Sequence, residues 1–542
     1  MRRAWRILEP AGRGGVAARI AAARGLDPAL EVHHDPLLMK GMDAAVARLR
    51  RGIAQAESIW IFGDYDADGV TSSALLAEGL EELGARVTVR LPHRVEEGYG
   101  LQAGQVEEII AAGAGLLVTA DNGSSAHGPL EVARRAGLDV IVVDHHSPTE
   151  ELPSAAAILN PRQQGCGYPF KSLAAVGVAW KLLQALGWRG LERGLDLAAL
   201  GTVADLAGLK GENRLLVREG LKRIRAGARP GLEALLRLKG VTPATGADAR
   251  TLGWQLGPRV NSAGRLAEAD LAYELLRAAD LRLAEPLALR LDGLNQERRR
   301  VQDAAVQEAE KALAAAGELP ALLAFTGEDW HLGVIGLIAG RLSQDYQRPA
   351  LVLTRSLGQG IVKGSARSVP GLHITEAIAR HRRFLENFGG HAEAAGLTLR
   401  EEHLEDFLEA LGADVEERAG ALPPPVLQVD CAVDPAELEL SLARELEALE
   451  PCGAGNPRPL LGLLGARVQR IFSLSDGKHL KLWLEAGGRR HEAVWWQQGA
   501  AAAELRYGQA LDLAFEPTVN TWNGRSELQL RVEDLRPALE ES

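Results

Sequence analysis

Cysteine is nearly missing from the 542-residue sequence, which contains only Cys166, Cys431 and Cys452. The three are far apart and form no Cys-x-x-Cys pair, which excludes a disulfide framework and a zinc ribbon. No apolar run approaches the roughly 18 residues that a membrane-spanning helix needs. The N-terminus, MRRAWRILEP, lacks the apolar core of a secretion signal. These absences favour a cytoplasmic protein without membrane segments.

Positive charge is also scarce, since 61 Lys and Arg face 72 Asp and Glu, which gives a net charge of −11. This balance does not exclude a nucleic acid ligand, because binding depends on local patches rather than on the whole chain. Residues 453–536 carry 11 Lys or Arg against 9 Asp or Glu. Apolar residues make up 46% of the chain and support folded cores, and the length predicts roughly three domains.

The most informative segment is 61–69, which reads Ile-Phe-Gly-Asp-Tyr-Asp-Ala-Asp-Gly. It places Asp64, Asp66 and Asp68 at every second position after an apolar run. An extended chain points alternate residues to the same side, so these carboxylates repel each other. A divalent cation is the usual means of stabilising such a cluster. A calcium-binding loop would need Glu at position 75, where this sequence has Leu75.

Two later apolar runs also end in side chains that bind metals. The run at 115–120 leads to Asp121, and the run at 139–143 leads to Asp144-His145-His146. In an open α/β sheet, ligands bind at the carboxyl ends of the strands. The three segments therefore predict one metal site at one edge of a sheet.

The rest of the chain predicts further domains. A helical run that opens at Pro286 and ends near 316 is long enough to connect two domains. Beyond Pro423-Pro424-Pro425 the pattern turns to strands, which predicts a small barrel. Strands are predicted at 58–63, 86–91, 115–120, 139–143, 321–325, 350–354, 360–364, 466–473, 479–485, 510–521 and 526–533, and helices at 71–83 and 104–112.

The barrel segment carries aromatic and basic side chains suited to single-stranded nucleic acid, because bases stack on aromatic rings and phosphates attract cations. The alternative for each ring is a place in the barrel core. The aromatic residues are Trp483, Trp495, Trp496, Phe515 and Trp522, and the basic residues are Arg467, Arg470, Lys478, Lys481, Arg489 and Arg490.

These segments resemble the RecJ-type exonucleases of the DHH phosphoesterase superfamily over nearly the whole chain. Residues 62–69, 119–123, 144–146 and 201–205 are similar to four motifs of the DHH domain, and Asp144-His145-His146 is the motif that names the superfamily. Residues 363–368 and 389–391 resemble the glycine-rich motifs of the DHH-associated domain, and 257–265 resemble the segment before its linking helix. After Asp205 the sequence departs from the family, because Leu206-Ala207-Gly208-Leu209 replaces the usual Pro-Leu.

The resemblance implies an α/β multidomain fold. Its expected parts are a helical lead-in (1–50), a DHH catalytic domain with a mostly parallel sheet (51–215), a helical region with a long connecting helix (216–318), a DHH-associated α/β domain (319–420) and a C-terminal OB-fold β-barrel (425–538).

It also implies roles for individual residues. Asp66 and Asp121, with Asp64, would hold one Mn²⁺ or Mg²⁺, and Asp68, Asp121, His145 and Asp205 would hold a second. Such a pair of ions activates water and polarises the phosphate. His146 would hydrogen-bond the phosphate, and Asp121 and Asp144 complete the expected catalytic group. The expected substrate-binding residues are Arg94, Tyr99, Arg265, Ser365, Arg367 and His391.

The implied function is a single-stranded-DNA-specific 5′→3′ exonuclease that releases 5′-mononucleotides in DNA recombination and repair. A strand with a 5′-phosphate, a single-strand DNA-binding protein and a helicase are the expected partners. Two alternatives stay open. A nanoRNase or cyclic-dinucleotide phosphodiesterase of the DHH type generally lacks the barrel, and a non-catalytic DHH-like DNA-binding scaffold loses the metal-site acids.

Overall fold

The first strand-like runs form a five-stranded parallel sheet in the computed structural model of the chain. Its strands are β2 (Ser58–Gly63), β3 (Arg86–Arg90), β4 (Leu116–Ala120), β5 (Asp139–Val143) and β6 (Ala157–Leu159), in the order β3-β2-β4-β5-β6. All five residues of β4 are buried. This burial explains the continuous apolar runs of the sequence, because helices cover both faces of a parallel sheet.

The structure describes residues 4–8, 14–98, 100–227, 229–242, 246–358, 360–419, 426–522 and 525–538. These residues divide into two units. The catalytic unit comprises His34–Asp205 and Glu219–Pro423, and the barrel unit comprises Met1–His33, Leu206–Arg218 and Pro424–Ser542. No helix in the described part of the chain is long and apolar enough to cross a membrane.

Helices pack on both faces of the parallel sheet. Phe62, Leu117 and Val142 from three neighbouring strands share an apolar cluster with Val106 and Leu130 from two of the helices. The helices of this region are Met42–Ala54, Ala67–Glu82, Ala103–Ala111, His127–Arg135, Ala175–Leu186 and Leu191–Ala204, followed by Gly211–Gly227 and Pro230–Leu238.

A helical region then leads to the connecting helix. Its elements are a π-helix at Thr251–Leu256 and α-helices at Gly257–Leu266, Asp270–Arg277 and Leu281–Ala316. The connecting helix begins five residues before the predicted start at Pro286. Asp280 caps it by accepting a hydrogen bond from the Leu283 amide (2.9 Å), and Pro286 lies inside the helix, in its second turn.

A second sheet completes the catalytic unit. It is mixed, because only β7 and β8 run parallel, and its order is β10-β11-β9-β8-β7. The sequence prediction missed β10 and β11. The strands are β7 (Leu323–Gly327), β8 (Ala350–Thr354), β9 (Ile361–Arg367), β10 (Leu385–Gly390) and β11 (Ala394–Arg400), and the helices are Ile335–Tyr346, Ile374–Arg380 and Leu404–Ala419.

The barrel unit is built on five strands that close on themselves. The strands are β14 (Leu461–Leu474), β15 (His479–Ala486), β16 (Arg489–Trp495), β17 (Ala510–Trp522) and β18 (Arg525–Pro537), and pairing of β17 with β14 closes the ring. β16 was missed in the sequence. The predicted turn at Asn523-Gly524 and the boundary at Pro423-Pro424-Pro425 lie outside the described residues.

Part of the expected helical lead-in is a strand. β1 (Ala4–Ile7) pairs in parallel with β12 (Val426–Val429), so the N-terminus joins the barrel unit. Helix Val16–Arg24 lies in the same unit, and its Val16 and Ile20 are in one apolar cluster with residues of the barrel strands. This unit also contains β13 (Cys431–Ala432) and helix Leu440–Leu446.

Candidate active site

Three adjacent strands of the parallel sheet end in an aspartate at the same level. Gly63, Ala120 and Val143 are in register at the ends of β2, β4 and β5. The residue that follows Gly63 is Asp64, and its amide donates to Ala120 O (3.1 Å). The Asp121 amide likewise donates to Val143 O (2.9 Å). Asp64, Asp121 and Asp144 therefore meet at the carboxyl edge, as the sequence predicted.

The other acids of the first motif lie at the start of helix Ala67–Glu82. Asp66 is the N-cap, and its Oδ1 accepts hydrogen bonds from the amides of Asp68 (3.0 Å) and Gly69 (3.1 Å). A Cβ atom at Gly69 would lie 2.5 Å from the Asp64 carbonyl oxygen. The glycine that ends the motif is therefore required for the helix to start beside β2.

Ligand atoms of the site residues form three groups of three, and within each group the atoms lie within 4.8 Å of one another. We call two of these groups the triads: Asp64, Asp66 and Asp121, and Asp68, His145 and Asp205. The third group, Asp121, His145 and His146, joins the two triads. Asp205 enters from the C-terminal end of helix Leu191–Ala204. His145 Nε2 lies 3.2 Å from Asp121 Oδ1 and 3.7 Å from Asp205 Oδ2. Asp121 therefore lies where the two triads meet.

Asp121 has an unusual backbone conformation. Its φ is +67°, in the left-handed region that Asp and Asn accept better than most residues. Strained conformations of this kind cluster at functional sites. The turn directs the carboxylate into the space between the two triads, where it meets His145 and His146.

The acids are held in an environment that disfavours their charge. Burial, followed by neighbouring carboxylates, raises the pKa of Asp68 to about 7 and that of Asp205 to about 8. The same causes raise the pKa of Asp64 and of Asp121 well above the ordinary value. Carboxylates packed this closely are suited to bind cations.

Two buried atoms at the junction of the triads also lack hydrogen bonds to the described residues. They are Asp121 Oδ1 and His145 Nε2. Burial lowers the pKa of His145 to about 4, so its imidazole is neutral and can act as a metal ligand. An oxygen-rich donor set with one imidazole fits Mn²⁺ or Mg²⁺. The residues present therefore fit a pair of divalent cations.

Asp144 and His146 form a dyad beside the triads. Asp144 Oδ1 accepts from the imidazole Nδ1 of His146 (2.8 Å) and from the His145 amide (2.7 Å), and its Oδ2 accepts from the Ser124 amide (2.9 Å). Burial opposes ionisation, but these contacts hold the pKa of Asp144 below its usual range. Burial likewise opposes the charge of His146, while the bond to Asp144 raises the pKa of His146 to about 9.

Asp68 has a separate anchor that the sequence did not reveal. Its carboxylate accepts from the amides of Ala175 (2.7 Å) and Val176 (2.9 Å), at the start of helix Ala175–Leu186. Asn261 holds the neighbouring residue, because its Oδ1 accepts from the Ala67 amide (2.8 Å). Asn261 belongs to segment 257–265, which the sequence analysis recognised. The spacing of residues along the chain does not show that Asn261 contacts Ala67.

A cluster of cations occupies the same unit. Arg94 lies over the ring of Tyr65, 4.9 Å from its centroid. Arg265 donates to Gly333 O (3.1 Å), and Arg367 donates to Ser365 Oγ (3.2 Å). None of these arginines forms an ion pair with a carboxylate of the described residues.

The positive charges of the arginines act on one another. Burial, then Arg94 and Arg298, lowers the pKa of Arg265 to about 9. Burial and Arg94 also lower the pKa of Arg367. Arg298 belongs to the connecting helix, and no motif of the sequence pointed to it. Mutually repelling, unpaired guanidinium groups are suited to an anion.

Two predicted substrate residues remain. His391 lies in the turn between β10 and β11, and its described hydrogen bonds are with Ala394 and Thr375 rather than with either triad. Strand β11 pairs with β9, which carries Ser365 and Arg367. Tyr99 lies outside the described residues.

One face of the barrel collects aromatic and basic side chains. The guanidinium groups of Arg470 and Arg490 lie 5.1 and 4.2 Å from the ring centroid of Trp483. Phe472 meets Trp483 edge to face at 5.1 Å between centroids. We call these four residues the Trp483 face.

The other predicted barrel residues have different places. Phe515 is fully buried in the core. Lys481 pairs with Glu492 (2.6 Å), and Arg489 pairs with Glu439 (2.9 Å). The Trp522 side chain lies outside what the structure describes.

Three family models match successive parts of the chain. Residues 58–203 match the DHH family, N-terminal domain, residues 318–417 match the DHHA1 domain, and residues 429–534 match the RecJ OB domain. These matches correspond to the parallel sheet, the mixed sheet and the barrel of the structure.

The chain is also similar to curated proteins along nearly all of its length. The chain is 38% identical over 554 residues to the single-stranded-DNA-specific exonuclease RecJ of Dickeya dadantii, covering 96% of this chain and 95% of the relative. It is 37% identical over 531 residues to the protein of that name from Bacillus subtilis, covering 96% of this chain and 67% of the relative. A crystal structure of Thermus thermophilus RecJ in complex with Mn²⁺ matches at a TM-score of 0.86 and 31% identity, covering 99% of this chain and 80% of the other. The chain therefore belongs to the RecJ family of single-stranded-DNA-specific exonucleases.

Proposed function

We propose that this exonuclease degrades single-stranded DNA from the 5′ end, releasing 5′-mononucleotides with the help of two Mn²⁺ or Mg²⁺ ions. One observation carries the proposal: the two triads meet at Asp121. The same unit holds the arginines that form no ion pair with the described carboxylates. Related structures hold Mn²⁺ or Mg²⁺. Retention of the metal-site acids and of the barrel speaks against a non-catalytic scaffold and against a dinucleotide phosphodiesterase.

The residues divide the work of hydrolysis. Asp64, Asp66 and Asp121 would hold one ion, and Asp68, Asp121, His145 and Asp205 the other. Bound there, the ions supply Lewis acidity that activates water and offsets phosphate charge. His146, oriented by Asp144, donates a hydrogen bond to the phosphate as negative charge develops.

The arginine cluster gives the reaction its direction. A terminal phosphate carries more charge than an internal diester, and Arg94, Arg265 and Arg367 with Ser365 would bind it through paired donors. Tyr99 would stack on the terminal base, and His391 would contribute from the neighbouring turn. Anchoring the 5′ end places the first phosphodiester bond at the triads, so each cut releases one nucleotide.

A single labelling experiment tests this function. A single strand is labelled at its 5′-phosphate or at its 3′ end and incubated with the protein and Mn²⁺. We expect labelled mononucleotide at once from the first substrate and only late from the second. Early release from the 3′ end, or internal fragments from both, would contradict the assignment.

Arg367→Ala tests the anchor. We expect the preference for 5′-phosphorylated over 5′-hydroxyl strands to fall by roughly 10- to 150-fold, because a hydrogen bond to a charged group contributes about 1.5–3 kcal/mol. Competition between the two substrates measures the ratio. Arg418→Ala, at a surface arginine paired with Asp414 (3.1 Å), is the matched control. An unchanged preference in Arg367→Ala would place the anchor elsewhere.

We propose that the Trp483 face also binds single-stranded DNA. Replacing both Arg470 and Arg490 by alanine should flatten the salt dependence of binding by about 0.7 log units per lost phosphate contact. Titrations of a 3′-labelled strand at several salt concentrations measure the slope. Arg300→Ala, at a surface arginine paired with Glu297 (2.6 Å), is the control. A parental slope in the double variant would assign this face a structural role.

The cellular setting follows from the substrate. We propose a cytoplasmic enzyme of DNA recombination and repair. A helicase that exposes single strands and a single-strand DNA-binding protein that keeps them open are the proposed partners, because folded or paired DNA would not reach the triads.

A further inference from the structure

Trp254 is an exposed tryptophan in the catalytic unit. Its exposed fraction is 72%, and the described residues give its indole no hydrogen bond or ring contact. It belongs to the six-residue π-helix Thr251–Leu256, a conformation that is rare and often found at functional sites. Leu252 and Leu256 are fully buried, so the turn is anchored while the tryptophan faces solvent.

The π-helix continues directly into helix Gly257–Leu266, and together they form what we call the 251–266 ridge. Gly253 packs against Val203, since a Cβ there would lie 3.2 Å from Val203 Cγ1. Gly257 packs against Ala204, where a Cβ would lie 3.0 Å from Ala204 Cβ. Val203 and Ala204 immediately precede Asp205, so this end of the ridge lies beside the second triad.

The remaining contacts give the ridge a direction. Asn261 holds the Ala67 amide beside Asp66 and Asp68 (2.8 Å). Arg265, at the far end, donates to Gly333 O (3.1 Å). Read from Arg265, the contacts of the ridge lead from Gly333 to the first motif at Asn261, and then to the two residues before Asp205 at Gly257 and Gly253, which flank Trp254. At about 1.5 Å per α-helical residue, the stretch from Gly257 to Arg265 alone spans roughly 12 Å.

We propose that Trp254 is a stacking subsite for a base of the single-stranded substrate, on the 3′ side of the bond that is cut. The inference rests on the proposed 5′→3′ reaction, because it takes the arginine cluster as the 5′ end of the substrate path. A strand anchored there would cross the triads and leave along the ridge beside Asp205, and Trp254 lies between the two glycines that pack against Val203 and Ala204. Stacking suits an enzyme that accepts any sequence, since every base has an aromatic face.

The test compares Trp254→Ala, Trp254→Phe and the parent on 5′-phosphorylated oligothymidylates of two, four and eight nucleotides. We expect Trp254→Ala to raise KM about tenfold or more on the longer strands, within the roughly 5- to 150-fold range for one lost stack, and least on the dinucleotide. The loss should fall in KM rather than in kcat, and phenylalanine should restore most of it. Leu289→Ala, which removes another exposed apolar side chain (59% exposed) from the connecting helix, is the neutral control.

A binding measurement separates this inference from the proposed function. Fluorescence anisotropy of a 3′-labelled octanucleotide without divalent ions reports affinity in the absence of cleavage. Weaker binding by Trp254→Ala than by Trp254→Phe supports the subsite. Equal affinities, or an equal KM change at every length, would overturn it. If the parent binds the strand but does not cut it after Mn²⁺ is added, the proposed function fails instead. Trp254→Gln repeats the comparison if circular dichroism shows that alanine loosens the π-helix.

Discussion

Asp121→Asn should lose at least about 99% of the nuclease activity, which corresponds to roughly 2.7 kcal/mol of barrier. Asp121 is the carboxylate at the junction of both triads, so its loss weakens both proposed ion sites together. Asparagine is chosen over alanine because the φ of +67° is accessible to Asn but strained for Ala. The measurement is Mn²⁺-dependent release of nucleotides from a 5′-labelled single strand.

The same variant should be no less stable than the parent when metal is removed. Burial and neighbouring acids raise the pKa of Asp121, which means that its charge destabilises the metal-free fold. Thermal unfolding in EDTA should therefore give an equal or higher Tm. Added Mn²⁺ should raise the Tm of the parent more than that of the variant. Asp406→Asn, at an exposed acid, is the control. If Asp121→Asn keeps more than a tenth of the parent's activity, Asp121 does not serve both proposed ion sites.

Asp144→Ala should lose about as much activity as Asp121→Asn. Unlike Asp121→Asn, it should be less stable than the parent. Its carboxylate is buried and accepts hydrogen bonds from His146 and from the amides of Ser124 and His145. Removing it leaves buried donors without partners, which costs about 3 kcal/mol or more of unfolding free energy. Urea unfolding in EDTA measures this loss, and the strand-release assay measures activity.

His146→Gln separates the two roles of Asp144. The His146 side chain is about one-third exposed, so its replacement should lower activity with only a small loss of stability. Asp144→Asn keeps the shape of the side chain and should lie between Asp144→Ala and the parent in stability. An Asp144→Ala protein as stable as the parent would show that these amides find other partners.

The sequence predicted the parts of the site that depend on local patterns. Asp64, Asp121 and Asp144 were expected together because each ends an apolar strand, and parallel strands in register bring such positions to one edge. Asp205 came from motif similarity instead, since it lies at the end of a helix and no periodicity relates it to Asp68.

Contacts between distant segments were not predictable. The amides that hold Asp68 belong to a helix that starts at Ala175, and Arg298, whose charge helps to lower the pKa of Arg265, belongs to the connecting helix. The start of that helix was missed because a single Pro286 was read as a boundary, whereas the Asp280 cap decides where the helix begins. β16 was missed because its run of charged residues masks the alternation of buried His491 and Ala493.

The pairing of β1 with β12 has a consequence for how the protein is made. Ala4 leaves the ribosome more than 400 residues before its partner Val426. At about 5–20 residues per second, translation delays this pairing by roughly 20–80 s. Throughout that interval the first strand of the nascent chain has an unsatisfied edge, and the barrel becomes native only after the catalytic domains have been synthesised.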